Sequence, residues 1–340
     1  NGRYNIMWRP GGGNYNDLDS REAVEKQIQT GIQCAGLPEY VDEICYELES
    51  CPYSPLKKSP VSTANEGILS ICSGCSGVAW NVMPKRLSDA ENIFNAIRSK
   101  TPFMELLSEK FKNGKNLGVY DGWHPQAQAA VPDFFSDYGG RYAEGMDEID
   151  LLGIPRSYNL HKASAFVLQG RQPLVFSDEE IRYILSRGVY MDADAADILC
   201  KMGFGKYIGF KKGDETVDDL SEVCLNHPLN KGIEGESRTC FSVFAKGKSY
   251  ALIPEKGAAV ISNIQDVDRN VKYPCAMGCF ENELGGRVAV CGYFPWTDLS
   301  DYDKALQMKR LFLYLSNNAL EANIHSYHRL KLFVRETDGG

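Results

Sequence analysis

Two glutamates, Glu47 and Glu49, are the residues of this chain best placed to do chemistry. They stand in the short run Glu43-Ile44-Cys45-Tyr46-Glu47-Leu48-Glu49. Side chains two apart on a strand share a face, so the run reads as a strand with both carboxylates on one side. Like charges repel there, and a purely structural strand avoids such a pair. A strand entering the polar loop Ser50-Cys51-Pro52-Tyr53 can instead present one or both to a substrate. The plain alternative is the solvated outer edge of a sheet.

Other candidates are weaker. Cys72-Ser73-Gly74-Cys75 has redox-motif spacing, but it closes a helix, whereas a helix start would lower a thiol pKa. With no second such pair nearby, a zinc site is not expected either. Ser73-Gly74-Cys75-Ser76-Gly77 echoes a nucleophile elbow, yet that motif needs strand–turn–helix and the order here is helix–turn–strand. Gly11-Gly12-Gly13 lacks the spacing of a nucleotide-binding loop and reads as backbone that a substrate can approach. The five histidines form no ligand cluster. Trp123-His124, after a strand, could line a pocket. Lys57-Lys58 is either a solvated loop or a partner for a carboxylate or a sugar hydroxyl. No metal and no cofactor is expected.

The elements that position these residues alternate. Tyr4 to Trp8 is strand-like and leads to Arg9-Pro10. Asp19 with Glu22 caps a helix carrying Val24, Ile28 and Ile32, closed by Gly36. After the glutamate strand, Thr63 with Glu66 caps a helix, and Val78 to Val82 is a strand. Ser88 with Glu91 caps the next helix, and Thr101-Pro102 opens another. Strand and helix alternating three times imply parallel strands with helical crossovers. In a barrel of that kind, functional residues gather at the C-terminal strand ends. Those ends hold Arg9, Glu47 with Glu49, and Trp80 with Asn81.

A second α/β block starts at Lys115. Its strands are expected at Asn116 to Tyr120, Ala165 to Leu168, Val189 to Met191, Phe241 to Phe244, Ser249 to Ile253 and Arg287 to Cys291. Ser177 with Glu180, and Asp192, cap two of its helices, and Asp303 to Leu315 is a third. His328 to Val334 reads as the first strand of a further module.

The chain has 340 residues, 43% of them apolar, enough for two domains or a little more. A formal charge of −8 argues against general nucleic-acid binding, and no apolar run is long enough to span a bilayer. Eleven cysteines, odd in number and scattered through apolar segments, point to a reducing compartment, hence the cytoplasm. The chain opens Asn-Gly-Arg and closes in a hairpin-like Glu-Thr-Asp-Gly-Gly. It reads as a piece of a longer protein, so an upstream signal could have been lost.

Glu47-Leu48-Glu49, Pro52-Tyr53, Lys58-Ser59, Glu66 and Gly74-Cys75-Ser76-Gly77 through Trp80-Asn81 together resemble the last third of a (β/α)8-barrel glycosidase. Family 42 β-galactosidases and their bacterial cousins are the nearest in pattern. Leu151 to Pro155 and Gly188 to Asp192 resemble the glutamine-amidotransferase-like, flavodoxin-like α/β module that follows the barrel in that family. The resemblance implies three parts: late barrel elements at 1–114, a non-catalytic α/β domain at 115–320 and the start of a small β domain at 321–340. It further implies a retaining hydrolase of β-linked sugars such as galactosides, working as a homo-oligomer, a trimer in that family. Retention uses a carboxylate nucleophile and a carboxyl acid/base. The nucleophile would be Glu47, with Glu49 positioning it or contacting substrate, and the acid/base would lie upstream. Trp80 would stack on the sugar, while Arg9, Tyr53, Lys58 and Asn81 would bind hydroxyls or orient the nucleophile. Two rivals stand beside this reading: a non-catalytic carbohydrate-binding or assembly protein, and an amidotransferase-type hydrolase using a Cys–His pair in the second block.

Overall fold

Tyr46 and Leu48 alternate with Glu47 and Glu49, and that alternation organises the first part of the molecule. A computed structural model describes residues 6–11, 16–17, 20–41, 43–50, 58–82, 86–122, 124, 146–216, 220–238, 248–296, 299, 301–325 and 330–337. The expectations for Gly12, Gly13, Asp19, Tyr53, Lys57, Trp123, Phe241 to Phe244 and His328 lie outside the described residues. The chain forms two compact units. One comprises Asn1–Leu117, Ser157–Lys162 and Phe333–Gly340, and the other Gly118–Arg156 and Ala163–Leu332.

The first unit runs β1 (Met7–Trp8), α1 (Ser20–Gly36), β2 (Glu43–Glu49), α2 (Pro60–Ser73), β3 (Gly77–Asn81), α3 (Leu87–Lys110) and β4 (Lys115–Asn116). Strands β1, β2 and β3 lie side by side in that order, all parallel, as the strand–helix alternation requires. Tyr46 and Leu48 are fully buried on the helix-facing side, against Cys75, Val82 and Ile93. Burying one such side chain contributes about 1.5–3 kcal/mol. That contribution fixes which face of β2 the glutamates occupy, because a one-residue slip would exchange the two faces.

Two helix boundaries differ from the sequence reading. The cap of α2 is Ser59, whose hydroxyl accepts the Ser62 N–H at 3.1 Å with Pro60 at the first turn, so Thr63 and Glu66 fall inside the helix. The segments around Ser88 and Thr101-Pro102 are one helix of 24 residues with Pro102 inside it. Proline removes a single hydrogen bond and strains the carbonyls one turn back. The carbonyl that loses its donor is that of Arg98; the helix continues through the proline, with the Thr101 hydroxyl donating to the Ile97 carbonyl at 3.0 Å.

The second unit contains β5 (Gly118–Tyr120), α4 (Met146–Leu151), β6 (Ala163–Leu168), α5 (Asp178–Leu185), β7 (Gly188–Asp192), α6 (Ala193–Leu199), β8 (Phe210–Glu215), β9 (Ser221–Cys224), β10 (Ser237–Arg238), β11 (Tyr250–Pro254), β12 (Ala259–Gln265), β13 (Val271–Glu281), β14 (Arg287–Cys291) and α7 (Tyr302–Leu315). One eight-stranded sheet has the order β10-β9-β12-β13-β14-β7-β6-β5. Its half from β14 to β5 is parallel and the rest antiparallel. The Ser177–Glu180 capping box and the Asp192 and Asp301 caps are all formed. Strands β8, β9, β10, β12 and β13 are not among those the sequence pattern marks. In β13, Pro274 and Gly278 interrupt the pattern of an eleven-residue strand, and its pairing with β12 shifts register three times.

Of the stretch 321–340, read as the start of a β domain, the described end forms β15 (Arg335–Glu336). It pairs antiparallel with β4 and belongs to the first unit.

Candidate functional site

Because β1, β2 and β3 are parallel, their C-terminal ends lie at one end of the sheet, and Arg9, Glu47, Glu49 and Asn81 meet there. Arg9 follows β1 directly, and its Nη2 sits 2.8 Å from Glu47 Oε1. The Glu47 N–H donates to the Pro10 carbonyl at 3.1 Å, so the backbone holds the same two strand ends together. Glu49 is in register with Asn81, whose Nδ2 donates to Glu49 Oε1 at 3.2 Å. Both carboxylates are half-exposed, and each is flanked by one partner from the neighbouring strand. A cation on one side and an amide on the other offset the repulsion that made the pair an oddity in the sequence.

Beneath this face, on the helix side of β2, lies a second polar group. The Tyr46 hydroxyl donates to Glu66 Oε1 at 2.5 Å, and Lys58 pairs with Glu66 Oε2, both ionic groups being buried. Lys58 also donates to the Glu49 backbone carbonyl at 3.3 Å. Burial pushes the Glu66 carboxyl up, against the Lys58 ammonium and the Tyr46 hydroxyl, which pull it down. Burial together with the Glu66 charge drives the Tyr46 phenol far above its ordinary range. Lys26 of α1 donates to the Gly11 carbonyl and stands 6.0 Å from the centre of the Tyr46 ring. Burial pushes its ammonium down, while Glu66, Glu47 and Glu49 oppose that.

Two sequence-predicted binders therefore have other places. Lys58 is a buried partner of Glu66 and holds the end of β2 from the helix side. Trp80 lies on the helix side, over Gly67 of α2 and beside Met104 of α3, away from Glu49 and Asn81. Neighbouring strand residues point to opposite faces, so Trp80 and Asn81 cannot share one. Glu66 and Lys26 were missed. For Glu66 a signal existed: it falls on the stripe Thr63, Gly67, Ser70 and Ile71, which faces the sheet. For Lys26 there was none, since its contact is with a loop fifteen residues away.

In the second unit the parallel strand ends are occupied by bonds among themselves. Arg156 pairs with Asp121 and Asp150, and Gln172 Nε2 donates to the Asp121 carbonyl at 2.9 Å. Asp192 accepts the Gly170 and Ala195 N–H groups, and Trp296 Nε1 donates to Gln169 at 2.9 Å. His124 Nε2 lies 3.6 Å from Glu180 Oε1 and its ring packs edge-on against Phe176.

Among the described residues of this unit there is one thiol–imidazole contact, Cys279 Sγ to His227 Nε2 at 3.7 Å. It is the feature an amidotransferase-type hydrolase would need, but its chemistry points elsewhere. His227 Nδ1 accepts the Leu229 N–H, which places the proton of the neutral ring on Nε2. Nε2 is then a donor to the sulfur and cannot take its proton. Burial also pushes the imidazole down and the thiol up. Cys279 sits within β13, with no sharp turn to expose it.

No group of three or more His, Cys, Asp or Glu side chains is arranged to hold a metal among the described residues. No helix among them is long and apolar enough to cross a membrane.

The protein is of the mixed α/β class, with a parallel strand–helix unit and a large mixed sheet. A solved structure of α-L-fucosidase isoenzyme 2 from Paenibacillus thiaminolyticus matches 93% of the chain at a TM-score of 0.61 and 11% identity. The chain spans half the length of that structure. At this identity the likeness shows a shared fold, one that a glycosidase carries. The N-terminal domain of mmIFT52 matches 49% of this chain and 83% of its own at 13% identity, and its TM-score of 0.31 carries no argument. No family model matches the chain. No curated protein matches it.

Proposed function

We propose that the chain is part of a retaining glycoside hydrolase acting on β-linked sugars such as β-galactosides. The observation that carries this reading is Glu47, half-exposed near the C-terminal end of a central parallel strand and ion-paired to Arg9 of the next strand. In this reading residues 1–114 are late elements of the catalytic barrel, and Glu47 attacks the anomeric carbon. Glu49 and Asn81 bind sugar hydroxyls beside it, Tyr53 adds a further contact, and a carboxyl from elsewhere in the enzyme serves as acid/base. Residues 115–320 are a non-catalytic module that assembles the homo-oligomer, in keeping with its mutually bonded strand ends. The fold shared with a fucosidase supports the class of reaction; the sugar and the linkage are this proposal's own.

The test is Glu47→Gln in the full enzyme. Turnover of an aryl β-galactoside should fall by roughly three orders of magnitude or more. Azide should restore it with an inverted glycosyl azide as product, since the anion replaces the missing nucleophile. Unimpaired turnover would remove Glu47 from the role. Loss in Glu49→Gln together with azide rescue there would assign the nucleophile to Glu49.

A further inference from the structure

In the Cys72-Ser73-Gly74-Cys75 run, the close partner of Cys75 is not Cys72. It is Cys34, 41 residues earlier and near the end of α1, with the two sulfurs 3.7 Å apart. The approach is built into the backbone. Gly74, at φ +124°, ends α2, and a Cβ placed on it would stand 3.0 Å from Cys34 Cβ. Only a glycine lets α1 come this near the turn that carries Cys75.

A second observation points to an anion at the same place. Arg335 reaches this turn, where its Nη1 donates to the Cys72 carbonyl at 3.4 Å and Nη2 to the Gly114 carbonyl. Its Nε is buried and has no hydrogen-bond partner. A buried N–H of a guanidinium without an acceptor is costly, and negative charge on Cys34 or Cys75, both near enough to act on the Arg335 charge, would offset that cost.

We propose that Cys34 and Cys75 form a reversible disulfide by exchange with a small-molecule disulfide of the glutathione type. Cys34 is half-exposed and is the entry thiol; Cys75 is buried and resolves. The Cys34 thiolate attacks one sulfur of the oxidant, whose S–S bond breaks, giving a mixed disulfide and one released thiolate. Cys75 then attacks Cys34 Sγ, the Cys34–small-thiol bond breaks, and the Cys75 proton passes to the departing thiolate, which leaves as the second small thiol. Two protein thiols are oxidised and one small disulfide is reduced to two thiols. Closing the bond brings the sulfurs from 3.7 Å to about 2.05 Å. The loop so closed contains all of β2, and with it Glu47 and Glu49.

The experiment treats the folded, full-length protein with glutathione disulfide, blocks remaining thiols and maps cross-linked peptides by mass spectrometry. The expected result is a Cys34–Cys75 cross-link as the main product, reversed by dithiothreitol, with two thiols lost per chain. A Cys72–Cys75 cross-link, or no cross-link at all, would overturn the proposal. Cys75→Ser should trap one glutathione on Cys34, whereas Cys34→Ser should leave Cys75 unmodified. Glutathione on Cys75 in the Cys34→Ser protein would reverse the assigned order. Arg335→Gln should slow cross-linking about tenfold and Arg335→Lys should restore most of the rate; equal rates in all three would remove Arg335 from the chemistry. The wild-type cross-link decides the main claim without any variant having to fold.

Discussion

Arg9 and Glu47 close an ion pair at 2.8 Å between adjacent parallel strands, while the Glu47 N–H holds the backbone of the residue after Arg9. Charge and backbone thus fix one carboxylate oxygen and leave the rest of that carboxylate half-exposed. If Glu47 is the nucleophile as proposed, Arg9→Ala should lower kcat/KM about 10- to 100-fold, chiefly through kcat, because the guanidinium would orient the attacking group. Arg9→Lys should recover only part, since an ammonium cannot reproduce the planar fork. Steady-state kinetics on an aryl glycoside checks both.

Trp80 is expected to matter for stability and not for substrate. Trp80→Ala should cost about 1–3 kcal/mol in urea unfolding, less than a core aromatic because the ring is only partly buried. Trp80→Phe should keep KM within about threefold, because the ring packs on the helix side. Gly67→Ala should also destabilise, as its methyl would sit 2.6 Å from the indole. A KM rise of tenfold in Trp80→Phe would return this residue to the sugar site.

The Lys58–Glu66 pair is buried on both sides, so breaking it should be worse than replacing it. Lys58→Met or Glu66→Gln alone should each cost roughly 3–5 kcal/mol, the range for a buried charge left without its partner. The double variant Lys58→Met, Glu66→Gln, which keeps an acceptor for the Tyr46 hydroxyl, should cost clearly less than the sum of the two single changes. Chemical denaturation of the three proteins measures the coupling.

Asp192 supplies a pH test. Burial, against the pull of the Ala195 and Gly170 amides, raises its carboxyl from 3.8 to about 6. Between those values the folded chain holds a proton that the unfolded chain has released, so stability falls as pH rises through this window. The drop should approach about 3 kcal/mol by about pH 6.5, because each tenfold change in proton affinity is worth about 1.36 kcal/mol. Asp192→Asn should flatten this part of the stability–pH curve, and an unchanged slope would assign it to other groups.

The legible parts of the fold were those set by local pattern. The capping box at Ser177, the helix from Tyr302 and the strand Glu43–Glu49 all announce themselves within a few residues. The Arg9, Glu47, Glu49 and Asn81 group was legible too, since parallel strands put their ends together. Trp80 and Asn81 are adjacent, so the two-residue period that puts Glu47 and Glu49 on one face puts these two on opposite faces. Glu66 was hidden by a cap-like spacing with Thr63, and the true cap lay one turn earlier at Ser59. Lys26, Cys34 and Arg335 could not be found, because each acts across 15 to 263 residues of chain. Long-range pairing leaves no local spacing to read.

The short strand β15 has a consequence for how the polypeptide acquires its shape. Arg335 anchors to Gly114, made 221 residues earlier, and β15 zips onto β4. During synthesis the first unit emerges, waits while the whole of the second is made, and receives its last strand only then. At about 5–20 residues per second, that interval is on the order of ten to forty seconds. Throughout it, β4 waits without the strand that pairs with it.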